Sequence, residues 1–260
     1  SVSGNWWPQA PASSGAAVLF GGALVSNSTV NVDGAVSVAG LAFNHTFSYA
    51  LSGSAITLDA GASDAAIAVS KGVHTLACPL TLNGGTVASI APEATLRITG
   101  VAAGAGSLAV QGGGQLSLDG TNTTPTTVRG GATVAVPGAA ALGGAALTLD
   151  NGTLAVAASD TLAGAISLGG GGGIFRSAAG QTLQLGATVS GAGGLTKAGA
   201  GTVALGASAG GYAGATTSEG GTLAVPAMPA GAVILGRGTL AFTGVSGASA
   251  QPVTVASGTN

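Results

Sequence analysis

The chain has 260 residues, of which 49 are glycine, 46% are hydrophobic, 5% are charged and 3% are aromatic. High apolar content with little charge excludes a disordered chain, and glycine without a three-residue period excludes collagen. The net charge of −2 comes from few groups and leaves no basic stripe, so nucleic acid and anionic membrane surfaces are not expected partners.

Short strands separated by turn residues follow one another along the whole chain. Apolar residues alternate with small polar ones in segments such as STVNVDG, GQLSLDG and GTVALG. This two-residue period is typical of a strand with one buried face. Gly, Asp-Gly and Asn-Gly supply tight turns between the strands. The pattern predicts an all-β chain.

Residues 1–60 contain most of the aromatic side chains and are predicted to form an N-terminal cap and the first strands. A fold of stacked coils must cover its terminal coil, which otherwise exposes apolar side chains and open strand edges. An aromatic platform that binds carbohydrate is the alternative interpretation. The aromatic residues concerned are Trp6, Trp7, Phe20, Phe43, Phe47 and Tyr49.

Residues 61–260 contain a degenerate long repeat, with copies near 104–136 and 191–225. Repeats that vary in loop length but keep their strands suit a solenoid, in which each coil contacts only its neighbours. We therefore predict one elongated domain, a parallel β-helix of about 11 coils with roughly 20–25 residues in each. The matched positions are Leu108 with Leu195, Leu116 with Val203, Leu118 with Leu205, and Val136 with Val225.

The core of this solenoid is predicted from the same alternation. Apolar residues two positions apart share one face of a strand and recur between the copies. The side chains expected to point inward are those of Leu108, Leu116, Leu118, Leu147, Leu149, Leu183, Leu185, Leu195, Val203, Leu205 and Leu223.

Cys78 is the only cysteine, so no disulfide can form within the chain. It is either a small buried hydrophobe or a nucleophile that uses His74 as its base. Positions four apart in a strand share a face but lie roughly 13 Å apart along it. The buried hydrophobe is therefore favoured.

The carboxylates are sparse, and several follow directly after a strand. Asp33, Asp59, Asp119 and Asp150 are predicted to bond local backbone N–H groups in their own turns. Asp59 and Asp64 form the alternative, a pair of catalytic carboxylates.

Other sites that could support chemistry are also sparse. His45 and His74 are too few for a zinc site without carboxylate help, and neither a nucleophile elbow nor a phosphate loop is present. We therefore assign no catalytic, cofactor-binding or metal residues and predict no enzyme. The Asn-x-Ser/Thr sequons are expected to stay unmodified, and they begin at Asn27, Asn44, Asn122 and Asn151.

The segment from Gly191 to Val225 combines spaced glycines with apolar and threonine positions, one lysine and one tyrosine, namely Gly191, Gly193, Leu195, Lys197, Gly199, Gly201, Thr202, Val203, Leu205, Tyr212, Gly214, Thr216, Gly221, Thr222, Leu223 and Val225. On these residues the segment resembles the autotransporter-associated β-strand repeat, also called the passenger-associated transport repeat. The earlier copy departs from this pattern, because Val110 stands where the pattern has Lys and the copy contains no Tyr. The opening sixty residues are similar to the first module of such passenger domains.

This resemblance implies a right-handed parallel β-helix, export by the type V route, and a secreted or bacterial cell-surface location. It does not imply one activity, because the fold is used for many functions. We expect an extracellular structural or adhesive protein, with a β-helical carbohydrate-active lyase or hydrolase as the alternative. An ice-binding solenoid is disfavoured because its threonines would need regular spacing, and here their spacing is irregular.

The expected partners are further copies of the chain, side by side or head to tail, and a host or matrix carbohydrate or protein. The last residues, AQPVTVASGTN, hold no aromatic or charged cap for a final coil. We expect further coils and an outer-membrane barrel beyond Asn260, and only that barrel would contact a membrane. The alternative is a unit that ends here and stacks into a filament.

Overall fold

The computed structural model describes residues 15–22, 24–207, 210–243 and 253–255. The chain divides into two compact units, Ser1–Thr127 and Val128–Asn260. Trp6 and Trp7 of the predicted cap lie outside the described residues, as do residues 256–260. In the described part of the chain, no helix is long and apolar enough to cross a membrane.

The first unit contains three parallel sheets, and each coil contributes a strand to the sheets in turn. The first sheet contains β1 (Ala17–Phe20), β4 (Gly40–Asn44), β7 (Ala65–Lys71), β10 (Gly85–Ile90) and β13 (Ser107–Gln111). The second contains β2 (Ser28–Val32), β5 (Tyr49–Gly53), β8 (Val73–Leu76), β11 (Thr95–Ile98) and β14 (Gln115–Leu118). The third contains β3 (Val36–Val38), β6 (Ile56–Leu58), β9 (Leu80–Leu82) and β12 (Ala102–Ala103).

Strand β15 (Thr126–Arg129) crosses the boundary, and the second unit repeats the three-sheet arrangement. One sheet contains β17 (Leu147–Asp150), β20 (Ile166–Leu168), β23 (Val189–Gly191) and β26 (Gly211–Tyr212). The next contains β16 (Thr133–Val136), β18 (Gly152–Val156), β21 (Gly173–Ser177), β24 (Leu195–Ala198), β27 (Thr216–Ser218), β29 (Val233–Leu235) and β31 (Val253–Val255). The last contains β19 (Asp160–Leu162), β22 (Thr182–Leu185), β25 (Thr202–Leu205), β28 (Thr222–Val225) and β30 (Thr239–Phe242).

A short 3-10 helix, Ala139–Leu142, connects β16 to β17. Neighbouring strands within each unit pair in parallel, for example Gly40 with Ala66 and Thr222 with Thr239. Each unit is therefore a β-solenoid, and together they contain about 11 coils, which confirms the predicted all-β parallel β-helix. Its right-handedness, its description as one domain and the division near residue 60 stay predictions.

The core consists of small aliphatic side chains on the inward faces of the strands. All eleven of the core residues predicted from the alternation are buried, and Leu205 is the most exposed of them at 6%. The prediction of the core is thus confirmed. Burial of each such side chain contributes about 1.5–3 kcal/mol relative to exposure.

Three of the aromatic residues near the N-terminus, Phe20, Phe43 and Tyr49, form an internal group of rings with His74, whereas Phe47 is exposed. Phe20 stacks on Phe43 with ring centroids 4.9 Å apart, and Phe43 stacks on His74 at 4.8 Å. Tyr49 packs beside them and donates a hydrogen bond from its hydroxyl to the carbonyl of Gly21. Phe20, Phe43 and Tyr49 are buried, so these rings cannot form a platform for carbohydrate.

Candidate functional site

Lys197 is one of the residues that match the repeat pattern, and its side chain points into the solenoid. It lies two positions after Leu195 on β24, so both side chains share the inward face of this strand. Lys197 has no exposed surface, which is rare for a lysine and requires compensating hydrogen bonds.

The ammonium group of Lys197 has three hydrogen-bond acceptors, one for each of its donors. It donates to the carbonyl oxygens of Ala198 at 2.8 Å and Gly199 at 2.7 Å, which follow it in the chain. It also donates to the carbonyl of Gly220 at 2.8 Å, one coil further on. An ammonium group offers three N–H donors, so its hydrogen-bonding capacity is filled. Burial lowers the pKa of Lys197.

Glycines of the same pattern make room for this lysine and its turn. Gly221 has φ of +62°, and a Cβ atom there would lie 2.8 Å from Lys197 Nζ and 2.2 Å from the Gly201 carbonyl. A Cβ atom at Gly193 would lie 1.8 Å from the carbonyl of Gly169 in the preceding coil. These glycines are therefore required for close contact of successive coils.

The tyrosine and threonine of the pattern form a buried pair. The Tyr212 hydroxyl lies 2.6 Å from Thr216 Oγ1, and neither side chain is more than 1% exposed. Burial raises the pKa of Tyr212. The adjacent Ser218 pairs in register with Lys197, and its buried hydroxyl has no hydrogen-bond partner among the described residues.

His74, the proposed base, is buried and uses both ring nitrogens in hydrogen bonds. Nδ1 accepts from the Tyr49 N–H at 3.1 Å, and Nε2 lies 2.9 Å from the Lys71 carbonyl. These partners require the neutral tautomer with its proton on Nε2. Burial is the main reason that the pKa of His74 is lowered.

Cys78 is a free, fully buried cysteine. Burial raises the pKa of its thiol, which disfavours the reactive thiolate. These properties match the small buried hydrophobe that the sequence favours.

The aspartates bond turns, but mostly in a neighbouring coil. Asp59 Oδ1 accepts from the Gly61 N–H at 2.8 Å, which confirms the local bond predicted for it. For Asp119 and Asp150 this prediction is wrong. Asp119 pairs with Arg97 at 2.6 Å, and Asp150 accepts from the Gly171 N–H at 2.7 Å, because parallel stacking brings those residues beside them.

Asp160 follows this pattern, because it accepts from the Ala140 N–H at 2.9 Å. Asp33 does not, because it accepts from the side-chain amide of Asn31, two residues before it. Asp64 lies beside Gly85, where a Cβ atom would come within 2.1 Å of its carboxylate. Asp59 also accepts from the side-chain amide of Asn83 at 3.1 Å, so both members of the proposed catalytic pair reach the turn at residues 83–85.

Asp59 and Asp119 do not have the electrostatics of a general acid. Hydrogen bonds from Gly61 and Asn83 lower the pKa of Asp59, and Arg97 is the main cause of the lowered pKa of Asp119. A catalytic acid that cleaves a glycosidic bond needs a raised pKa instead. In the part of the chain that the structure describes, no group of three or more His, Cys, Asp or Glu side chains could hold a metal ion.

Asn122, one of the four sequon asparagines, lies inside the solenoid with Thr124 and Thr126. Its Nδ2 donates to Thr126 Oγ1 at 2.7 Å, and its Oδ1 accepts from Thr124 Oγ1 at 2.8 Å. All three side chains are at most 2% exposed. The folded chain therefore cannot present Asn122 to a glycosyltransferase, whereas the other three asparagines are exposed, namely Asn27, Asn44 and Asn151.

Comparisons with protein-family models, with curated proteins and with solved structures gave no match. Lys197 and His74 have their polar groups engaged with the backbone of the solenoid. Five aspartates likewise accept hydrogen bonds from backbone or side chains, namely Asp33, Asp59, Asp119, Asp150 and Asp160. Sequence analysis missed the burial of Lys197, although its spacing from Leu195 places both residues on one face.

Proposed function

We propose that this chain is part of an extracellular structural protein, an autotransporter-type passenger or stalk on a bacterial surface. It acts by adhesion through self-association, and it catalyses no reaction. The observation that carries this proposal is the three-carbonyl site of Lys197, a residue that matches the passenger repeat. Its ammonium stabilises the contact between coils and leaves no donor for a substrate.

Three further observations support a structural role. The aspartates link coils, the glycines permit close stacking, and the core is a column of small aliphatic residues. Sparse charge on the described surface suits adhesion between identical molecules, because few like charges are brought together to repel one another. Host or matrix carbohydrate or protein is a further proposed partner. The carbohydrate-active alternative is less favoured, because three aspartates have a lowered pKa, namely Asp59, Asp119 and Asp160.

Display on cells tests this proposal. The chain is fused to a secretion signal and a type V outer-membrane barrel, and the settling of the cells is followed by turbidity. Adhesion through self-association predicts that displaying cells settle faster than cells with the barrel alone. Excess free chain should then slow the settling, because it occupies the same surfaces, whereas an equal mass of an unrelated soluble protein should not.

Surface exposure is measured in the same cells by protease treatment and antibody labelling. If the chain is exposed but the cells stay dispersed, the adhesive part of the proposal is wrong and a passive stalk remains. If the folded chain is retained inside the cell despite a working barrel, the proposed export is wrong as well.

A further inference from the structure

One sheet of the second unit carries, on the face opposite its core, a ladder of β-branched side chains in register. Thr196 pairs with Ile174 on one side and with Thr217 on the other. The remaining positions are one strand apart in the same sheet, and the whole ladder is Thr133, Thr153, Ile174, Thr196, Thr217, Ile234 and Thr254. Thr153 is buried, Thr254 is exposed and the other members are half-buried. A threonine hydroxyl both donates and accepts, so such a ladder can bond an identical ladder.

A second outward column runs beside this ladder and carries two opposite charges. In this column Ala155 pairs with Arg176, and Arg176 pairs with Ala198. Lys197 pairs with Ser218, so the next residues, Ala198 and Glu219, lie beside each other one coil apart. Arg176 and Glu219 are exposed and lie one coil on either side of Ala198. They are two strand spacings apart, roughly 10 Å, and in the described part of the chain they form no ion pair with each other.

Small side chains leave a shallow groove next to Arg176. The groove has a volume of about 280 Å³. Its walls are almost entirely apolar and include Ala135, Ala155, Ala157 and Ala178, and Arg176 lies at its edge. A carboxylate side chain from a second molecule can pair with the exposed guanidinium beside this groove.

From this arrangement we infer that the face carrying the ladder binds a second copy of the chain. The two copies are related by a two-fold axis that lies between them, parallel to β24. This rotation reverses the order of the coils and keeps the position along each strand. Arg176 then faces the partner's Glu219 and Glu219 faces the partner's Arg176, so both charges are paired. Thr196 faces its own counterpart, as an isologous contact requires.

This inference names the surface and partner for the self-association proposed above, and it rests on that proposed function. Charge complementarity selects the antiparallel arrangement. In the alternative arrangement the two solenoids are parallel and in register, and the two-fold axis runs along the solenoid. Arg176 would then face the Ile174 column of the second copy, which contains no acidic residue. A periodic ladder of uncharged residues tolerates several registers, whereas the two ion pairs fix one.

Charge exchange tests the inference on the purified chain by sedimentation velocity over a concentration series. The wild-type chain should form a dimer. Arg176→Glu and Glu219→Arg should each raise the dimer dissociation constant by about tenfold or more, because each places like charges opposite one another. Lys71→Glu, which makes the same change of charge in the first unit, should leave the dissociation constant unchanged.

Mixing the Arg176→Glu chain with the Glu219→Arg chain gives the decisive result. In the mixed dimer each carboxylate of the first chain faces a guanidinium of the second, so both ion pairs are restored. The mixture should therefore dimerise with nearly the wild-type dissociation constant, while each variant alone does not. A monomeric wild-type chain, or single variants that dimerise like wild type, or a mixture that stays monomeric would overturn the inference. Dispersed cells with an intact, charge-dependent dimer would overturn the proposed adhesion only.

Discussion

The ammonium nitrogen of Lys197 lies 2.8 Å from the carbonyl oxygen of Gly220, one coil further along the solenoid. The same nitrogen also binds the carbonyls of Ala198 and Gly199. One side chain therefore saturates backbone acceptors on two successive turns. This explains physically why a lysine occupies the inward face of an otherwise apolar strand.

Replacing this lysine should destabilise the chain strongly. Lys197→Met keeps the apolar stem but leaves buried carbonyls without their donor, and we expect a loss of about 2–4 kcal/mol in the free energy of unfolding. The midpoint of urea unfolding measures it. Lys71→Met, at an exposed lysine, should change stability by less than about 0.5 kcal/mol. Equal stability of the two variants would contradict the role given to Lys197.

Stacking of the coils predicts opposite outcomes at two glycines. Gly193→Ala places a methyl group 1.8 Å from the Gly169 carbonyl, and we expect a loss of about 3 kcal/mol or more because the backbones must separate. Gly170→Ala meets no atom within 4 Å and should be nearly neutral. Thermal unfolding of both variants distinguishes them, and a neutral Gly193→Ala would show that the coils are not stacked this closely.

The burial of His74 should make the free energy of unfolding sensitive to acid. Its folded pKa lies below the ordinary value of 6.5, so between these two values the unfolded chain binds a proton that the folded chain does not. Its contribution to stability is present above about pH 6.5 and is lost as pH falls through this window. Wild type should therefore lose more stability between about pH 7 and pH 5 than His74→Gln does.

The control for this pH dependence is His45→Gln. This substitution removes the other histidine of the chain and leaves the buried His74 in place, so the loss of stability that His74 causes in acid should remain. If His74→Gln and wild type have the same slope, His74 is not held neutral in the folded chain.

The polar cluster at Asn122 should be needed for stability. Asn122→Ala leaves the buried hydroxyls of Thr124 and Thr126 without their main partner, at a cost of about 2 kcal/mol. Asn44→Ala, at an exposed asparagine of another sequon, should be neutral. Both are measured by urea unfolding, and an equal, small effect would mean that the cluster is not formed.

The fold and the core could be predicted from local pattern, whereas contacts between coils could not. Alternation fixes which residues point inward, so positions such as Leu195 and Val203 are predictable from the strand itself. The contact between Asp150 and Gly171 depends on the length of the intervening loops, which local patterns do not encode. Likewise, Arg176 and Glu219 lie in one column only because of this register.

Threonine spacing shows the same limit. Thr182, Thr202 and Thr222 are 20 residues apart, whereas Thr239 follows Thr222 by 17 residues. In the structure they pair in register on consecutive strands, because the shorter connection absorbs the difference. This column is one threonine wide, because the positions two residues later are occupied by Gln184, Ala204, Ala224 and Ala241.

Amide hydrogen exchange of the Lys197→Met variant, followed by mass spectrometry, tests whether the residues of the repeat pattern hold successive coils together. If they do, peptides covering residues 195–201 and 219–223, which contain the two linked turns, will exchange faster than in wild type. Peptides from the first unit should keep their wild-type protection, as should the whole of Lys71→Met. Unchanged protection at both turns in a folded Lys197→Met variant would show that Lys197 does not link the coils.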